Sequence, residues 1–280
     1  DAKPAPDAPE YPDFDIIESA KTKGEIFISP DIAICEDCKR ELYDSRDRRY
    51  LHPFINCTCC GPRLTILDAL PYDRERTSMK AFPMCPECAS EYYDPATRRY
   101  DAQPVCCNDC GPEMYLLGSG ERGKDAITKA RRIVANGGVI AVKGIGGFHL
   151  CCDATNQDAV TLLRTRKRRP MKPFAVMMRD LDTVKRECET IPAAEEILTG
   201  HQKPILLLPR KAQGSICEAV APDNPKLGGM LPYAPLQLLL FEYDDGLTVS
   251  DCLVMTSANE SGAPICRDDG DARQELGPLC

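Results

Sequence analysis

Eight cysteines stand in four Cys-x-x-Cys pairs near the start of the chain: Cys35/Cys38, Cys57/Cys60, Cys85/Cys88 and Cys107/Cys110. Two thiolates two residues apart can share one ion across a tight turn, and two such knuckles close a tetrahedral sulfur shell that suits zinc and leaves no open position. The pairs are separated by 18, 24 and 18 residues, so the pattern recurs with a period of 50. The repeat extends beyond sulfur. Cys35-Glu-Asp-Cys38, Glu41, Tyr43-Asp44 and Arg48-Arg49-Tyr50 return as Cys85-Pro-Glu-Cys88, Glu91, Tyr93-Asp94 and Arg98-Arg99-Tyr100, and Cys60-Gly-Pro returns as Cys110-Gly-Pro. Two structural zinc ions are expected. Pairing within each repeat is simplest; pairing the two outer and the two inner knuckles satisfies the same spacing. Residues 1–18 are acidic and proline-rich without the apolar segment of a secretion signal, so thiolates are expected rather than disulfides. An iron–sulfur cluster is the other possible occupant of four cysteines. Cys59 and Cys106 do not fit the spacing, and the counterpart of His52 is Ala102, so none of the three is expected as a ligand.

A second chemistry is suggested by Arg164-Thr-Arg166-Lys167-Arg168-Arg169-Pro-Met-Lys172, six cations in nine residues of a chain whose net charge is −8. Such a run is either the solvated, dipole-favoured end of a helix or a site where fixed cations neutralise phosphate oxygens, with Lys167, Arg169 and Lys172 facing one cleft. Further on, an apolar run ends in Thr256-Ser257-Ala-Asn259. Hydroxyl and amide groups at a strand's carboxyl end sit where open α/β sheets bind ligands, although the same residues also cap turns. The glycines of Gly144-Ile-Gly-Gly147 lack a Walker or dinucleotide pattern. His52, His149 and His201 form no set with a serine or cysteine nucleophile, and Cys151-Cys152 reads as buried strand.

The elements that must hold these groups divide the chain. Residues 1–30 read as a linker feeding a short strand around Glu25–Ile28, and 31–115 as the cysteine duplex, held by metal more than by a core. Beyond it, helical spacing over Asp125–Asn136 is stopped by Gly137-Gly138. Strands are expected at Val139–Val142, Phe174–Met178, Ile205–Leu208 and Leu253–Met255, and helices at Asp158–Arg166 and Leu181–Glu189. That alternation predicts an α/β domain over 116–280. The acidic balance argues against a general nucleic-acid binder, and no run of eighteen apolar residues occurs. Seventeen cysteines suit a reducing cytoplasm.

Taken together these stretches resemble the carbamoyltransferase HypF family of hydrogenase maturation factors. The cysteine array resembles its tandem zinc fingers. Gly137-Gly-Val-Ile-Ala-Val-Lys-Gly-Ile-Gly-Gly-Phe-His-Leu-Cys-Cys-Asp-Ala-Thr155, Lys167-Arg-Arg169-Pro-Met-Lys172, Leu227-Gly-Gly-Met-Leu-Pro-Tyr233 and Thr256-Ser-Ala-Asn259-Glu-Ser-Gly262 are similar to its YrdC-like domain. The resemblance implies an α/β (α+β) YrdC-like fold with a twisted mixed sheet behind a small zinc-stabilised region, and a nucleotide-binding domain that is C-terminally incomplete. It implies that carbamate from carbamoyl phosphate reacts with ATP and Mg²⁺ to give carbamoyl adenylate, for transfer to the C-terminal cysteine of HypE and conversion to the cyanide ligands of [NiFe]-hydrogenase. Lys167 and Arg169 would hold phosphates, and Ser257 and Asn259 the nucleotide or carbamoyl group. Lys143, Lys172 and Thr256 would be further nucleotide contacts. Gln237 stands where the resemblance implies histidine. The same motifs leave two other readings, an RNA-binding module and a threonylcarbamoyl-adenylate synthase.

Overall fold

The computed structural model describes residues 28–259 and 263–280, so the strand expected around Glu25–Ile28 lies almost wholly outside the described residues. In the first repeat Cys35 is the N-cap of α1 (Glu36–Tyr43), its sulfur accepting the Cys38 amide at 3.5 Å. Glu36 and Asp37 favour the positive end of that helix. The second repeat builds the matching α2 (Pro86–Tyr93), with proline in the first turn, where its missing N–H costs nothing.

The rest of the chain forms α3 (Gly123–Ala135), β1 (Ile140–Gly144), β2 (Gly147–Asp153), α4 (Gln157–Lys167), β3 (Ala175–Met178), α5 (Leu181–Glu187), α6 (Pro192–Thr199), β4 (Leu206–Pro209), β5 (Lys226–Met230), α7 (Pro235–Phe241), β6 (Cys252–Ser257) and α8 (Asp269–Glu275). One mixed sheet runs in the order β1-β2-β6-β3-β5-β4, with β3 and β5 parallel and every other neighbour antiparallel. The glycine segment 144–147 is the tight turn joining β1 to β2. At Gly147 (φ +149°) a Cβ would come within 2.7 Å of the Cys266 carbonyl, which accepts the Phe148 amide, so glycine there serves a close backbone approach. Asn156 caps α4 by accepting the Asp158 and Ala159 amides, and Arg168 ends it in a left-handed conformation (φ 51°).

Side chains alternate across the sheet, dividing the core into two layers. Leu150, Cys152, Val176, Met178 and Val254 pack with α4, α5, α6 and α8. Ile140, Val142, Cys151, Met177, Leu253 and Met255 pack with α3, with α7 and with Ile34, Leu42 and Ile55 of the first repeat. All residues from Leu236 to Phe241 are buried, as expected of a helix enclosed between a sheet and another layer. Backbone bonds from Ala33 to the His201 carbonyl, just after α6, and from Ile34 to the Tyr233 carbonyl, just before α7, each 3.0 Å, fasten the first repeat to the α/β part. The expectation of a cysteine region held by metal more than by a core thus needs correcting for the first repeat, whose ligands Cys38, Cys57 and Cys60 belong to the layer below the sheet. The second repeat keeps its own small cluster of Tyr92, Ala102, Val105 and the cysteines.

Arg131 of α3 is buried and paired with the buried side chain of Asp245 (2.9 Å), while its remaining N–H groups reach the Leu239 and Leu240 carbonyls at the end of α7 and the Leu247 carbonyl beyond it. Removing one partner strands a buried charge. Arg131→Met should therefore lower stability by about 3–5 kcal/mol, read as a shifted midpoint in urea denaturation.

Candidate functional site

The sulfurs of Cys35, Cys38, Cys57 and Cys60 form one tetrad and those of Cys85, Cys88, Cys107 and Cys110 another, all within 4.8 Å of one another in each set. Pairing is therefore within each repeat, and the interleaved alternative falls. Sγ–Sγ separations of 3.7 and 3.8 Å in the first set, and 3.8 Å twice in the second, exclude disulfides. They match the edge, about 3.8 Å, of a tetrahedron with Zn–S bonds near 2.3 Å. Each tetrad has room for one ion at its centre rather than a multi-iron cluster. With four sulfurs and no open position, such an ion holds the fold and takes no part in chemistry. Cys59 is exposed and Cys106 is buried, with burial pushing its thiol up to about 12. Neither joins a tetrad. His52 sits between Asn108 (2.9 Å) and Cys106 (3.3 Å), and burial holds it down at about 4, hence neutral.

The second site forms where the end of α4 meets the end of β6. The Lys167 ammonium donates to the Ser257 carbonyl (2.8 Å), the Asn259 carbonyl (2.7 Å) and Asn259 Oδ1 (2.8 Å). Ser257 Oγ also donates to Asn259 Oδ1 at 2.8 Å. The Lys-x-Arg and Ser-x-Asn elements, ninety residues apart, thus form one network. Burial first, then the neighbouring cations Arg169 and Lys172, bring the Lys167 ammonium down to about 8.

The other expected residues are placed differently. Arg169 braces its own loop, donating to the Lys172 (3.2 Å) and Pro173 (2.5 Å) carbonyls and lying 5.0 Å over the Phe174 ring. Lys172 is exposed at the rim, near enough to depress Lys167. Thr256 is buried, and strand alternation turns it to the sheet face opposite Ser257. Lys143 is engaged elsewhere: its ammonium pairs with Asp269 of α8 at 2.6 Å and lies over the Phe148 ring. Among the described residues it makes no hydrogen bond or ion pair with the Lys167 network.

Two residues escaped the sequence reading. Arg164, the first residue of the cation run and given no role of its own, is buried over Phe174 (4.5 Å) and donates to carbonyls of Arg169, Pro170, Lys172, Ala219 and Val220. It shapes the loop that carries Arg169 and Lys172. Its position four residues after the apolar Val160, on the same face of α4, was the available signal. His149 stands opposite Ser257 across β2 and β6, on the same face, with its charge disfavoured by burial. The period of two running from Cys151 to His149 could have placed it.

Lys167 carries a pH signature. An anion bound beside it favours the ammonium, whereas above about pH 8 the free protein holds the neutral amine. Binding of an anion such as pyrophosphate there should therefore take up a proton near pH 8 and weaken as pH rises above 8. Calorimetry in buffers of different ionisation enthalpy reads that proton directly.

Comparison with known proteins adds the relatives. The family model Sua5/YciO/YrdC, described as telomere recombination, matches residues 132–280, and the HypF finger model matches 34–67 and 84–117. The chain is 49% identical over 264 residues to carbamoyltransferase HypF of Rhodobacter capsulatus, covering 94% of this chain and 34% of that protein. It is 43% identical over 274 residues to a probable carbamoyltransferase HypF of Methanocaldococcus jannaschii, covering 95% and 35%. Among solved structures, full-length HypF in a phosphate- and nucleotide-bound form superposes with a TM-score of 0.85 at 48% identity, covering 90% of this chain and 33% of that one. HypF of T. kodakarensis gives 0.86 at 46% identity, covering 92% and 34%. The chain thus spans about a third of the relatives it matches. No helix among the described residues is long and apolar enough to cross a membrane.

Proposed function

The chain belongs to the carbamoyltransferase HypF family, and from that premise we propose that residues 116–280 activate carbamate, derived from carbamoyl phosphate, by adenylation with ATP. A carbamate oxygen attacks the α-phosphorus, the bond to the bridging oxygen breaks, and carbamoyl adenylate and pyrophosphate result. In the longer protein the carbamoyl group would pass to the C-terminal cysteine of HypE, serving hydrogenase maturation in the cytoplasm. The observation that carries this reading is the Lys167 ammonium held on the Ser257 and Asn259 carbonyls. It fixes a cation and a hydroxyl–amide pair at one strand end, where phosphates and a small polar acid can lie side by side. A full-length solved relative is phosphate- and nucleotide-bound, which supports a nucleotide as substrate.

Catalysis here is positioning and charge. All three Lys167 hydrogens are engaged by oxygens of the β6 end, so Lys167 orients Ser257 and Asn259 while its charge acts on phosphate through space. Lys172 and Arg169 add cations at the rim, and the Ser257 hydroxyl offers a donor to a carbamate or phosphate oxygen. Mg²⁺, bound with the nucleotide, would offset charge on the departing pyrophosphate. The RNA-binding reading is weakened, because Arg164 of the cation run is buried and engaged by backbone carbonyls. The test is exchange of labelled pyrophosphate into ATP, with carbamate supplied from ammonium bicarbonate. Exchange should depend on carbamate and be unmoved by threonine; threonine-dependent exchange would overturn the reading.

A further inference from the structure

The two cysteine repeats brace each other across a pseudo-twofold relation, and the arginines do most of the crossing. Arg48, of the first repeat, donates to Cys85 (3.1 Å), Cys88 (3.2 Å) and Cys107 (3.2 Å), three sulfurs of the second tetrad. Arg49 is buried against Glu91 and Cys88 and donates to the Cys106 carbonyl at 2.8 Å. Fifty residues on, the roles reverse. Arg98 reaches Cys38 of the first tetrad (3.9 Å) and Glu41 (2.6 Å), and Arg99 pairs with Glu41 and donates to the Asn56 carbonyl at 3.1 Å. The backbone contacts are reciprocal too: Thr58 Oγ1 donates to the Arg98 carbonyl and Asn108 Nδ2 to the Tyr50 carbonyl, both at 3.0 Å.

A dication inside four thiolates leaves net negative charge on the sulfurs, and that charge is partly buried here. Guanidinium N–H groups on the sulfurs stabilise it, as outer-shell donors do at metal sites generally. Neither repeat supplies this to itself. We propose that the two four-cysteine sites form one cooperative metal-binding unit, in which the arginine pair of each repeat completes the outer shell of the other repeat's site.

The coupling is unequal. Arg48 touches three sulfurs at short range, whereas Arg98 touches one at longer range, and the first tetrad is also seated on the α/β core. The second site should therefore depend more on the first repeat than the reverse. Native mass spectrometry of the zinc-loaded 280-residue chain, followed during competition with a chelator, tests this. The unsubstituted chain should pass from two zinc ions to none with little one-zinc species. Arg48→Met keeps the side chain's bulk, and should release one zinc about 10- to 100-fold faster and populate a one-zinc form. Arg98→Met should do so more weakly, and Arg48→Lys should restore retention only in part, because an ammonium cannot fork onto several sulfurs. Cys88→Ser, which removes the second site, should speed loss of the remaining zinc. Far-ultraviolet circular dichroism of each variant confirms that the sheet remains folded. A one-zinc plateau in the unsubstituted chain, with release rates unchanged in Arg48→Met and Cys88→Ser, would sink the proposal, as would a chain that holds no zinc.

Discussion

Replacing Lys167 with alanine should reduce carbamate-dependent pyrophosphate exchange by about 100- to 1,000-fold, the cost of removing a preorganised charge from a reacting centre. Two losses combine. The cation beside the phosphates disappears, and the Ser257 carbonyl, the Asn259 carbonyl and Asn259 Oδ1 lose a shared donor. Because Lys167 is largely buried, lysine's flexible ammonium cannot be replaced by a cation from solvent. Lys167→Arg should not rescue exchange, since the wider guanidinium does not fit a site built for three converging acceptors. Ser257→Ala removes one neutral hydrogen bond and should cost roughly 3- to 10-fold, the range of a single such bond. Exchange at the unsubstituted rate in Lys167→Ala would refute the proposed site. A far-ultraviolet spectrum like that of the parent separates loss of activity from loss of fold.

Cysteine replacements should divide sharply by repeat. Cys38→Ser dismantles the first tetrad, and with it the packing of Ile34, Leu42 and Ile55 on the layer that includes Leu253, Met255 and α7. Exposing side chains of this kind costs about 1.5–3 kcal/mol each, so several of them should lower the melting temperature of the α/β domain by about 10 °C or more. Cys88→Ser disrupts a tetrad whose cluster is confined to its own repeat. The α/β domain should then melt within a few degrees of the parent, even as the second zinc is lost. Differential scanning calorimetry paired with metal analysis distinguishes the two. Equal melting shifts in both variants would show that the first repeat is not part of the domain core.

Most helices and strands of the α/β part were legible because their apolar periods are uninterrupted; α3, α4, β3 and β6 lie within a few residues of expectation. In the α/β part β2, α6, β5, α7 and α8 were not foreseen, and two of them show why. β5 contains Gly228 and Gly229, a residue type depleted in strands, yet a Cβ at Gly228 would approach Ile205 at 3.3 Å, so the glycine lets neighbouring strand side chains lie across it. α7 starts at Pro235 in a proline-rich stretch that resembles a loop, and Gln237 accepts the Tyr233 and Ala234 amides to start the helix. The Gln237 position where the resemblance implies histidine thus has a structural role here.

At the site, Lys167, Ser257 and Asn259 were legible as motifs, whereas Lys143 and Thr256 were not separable from them by sequence. Strand alternation alone turns Thr256 away from Ser257, and Asp269, far along the chain, takes the Lys143 ammonium. The cation run was misleading in the same way. Charge density counts Arg164 with Lys167, but burial against Phe174 makes one a brace of the loop and the other part of the site.

The residues alone determined that two tetrahedral sulfur sites exist, because Cys-x-x-Cys spacing is set by the local geometry of a tight turn, and they pointed to an α/β domain because periodicity is local as well. Only the tertiary structure decided that each tetrad forms within its own repeat, that the arginines of each repeat serve the other, and that the first tetrad lies in the domain core. Only it joined Lys167 to Asn259 as well. Those are contacts between residues tens of positions apart, and their partners are set by packing, which no local spacing encodes.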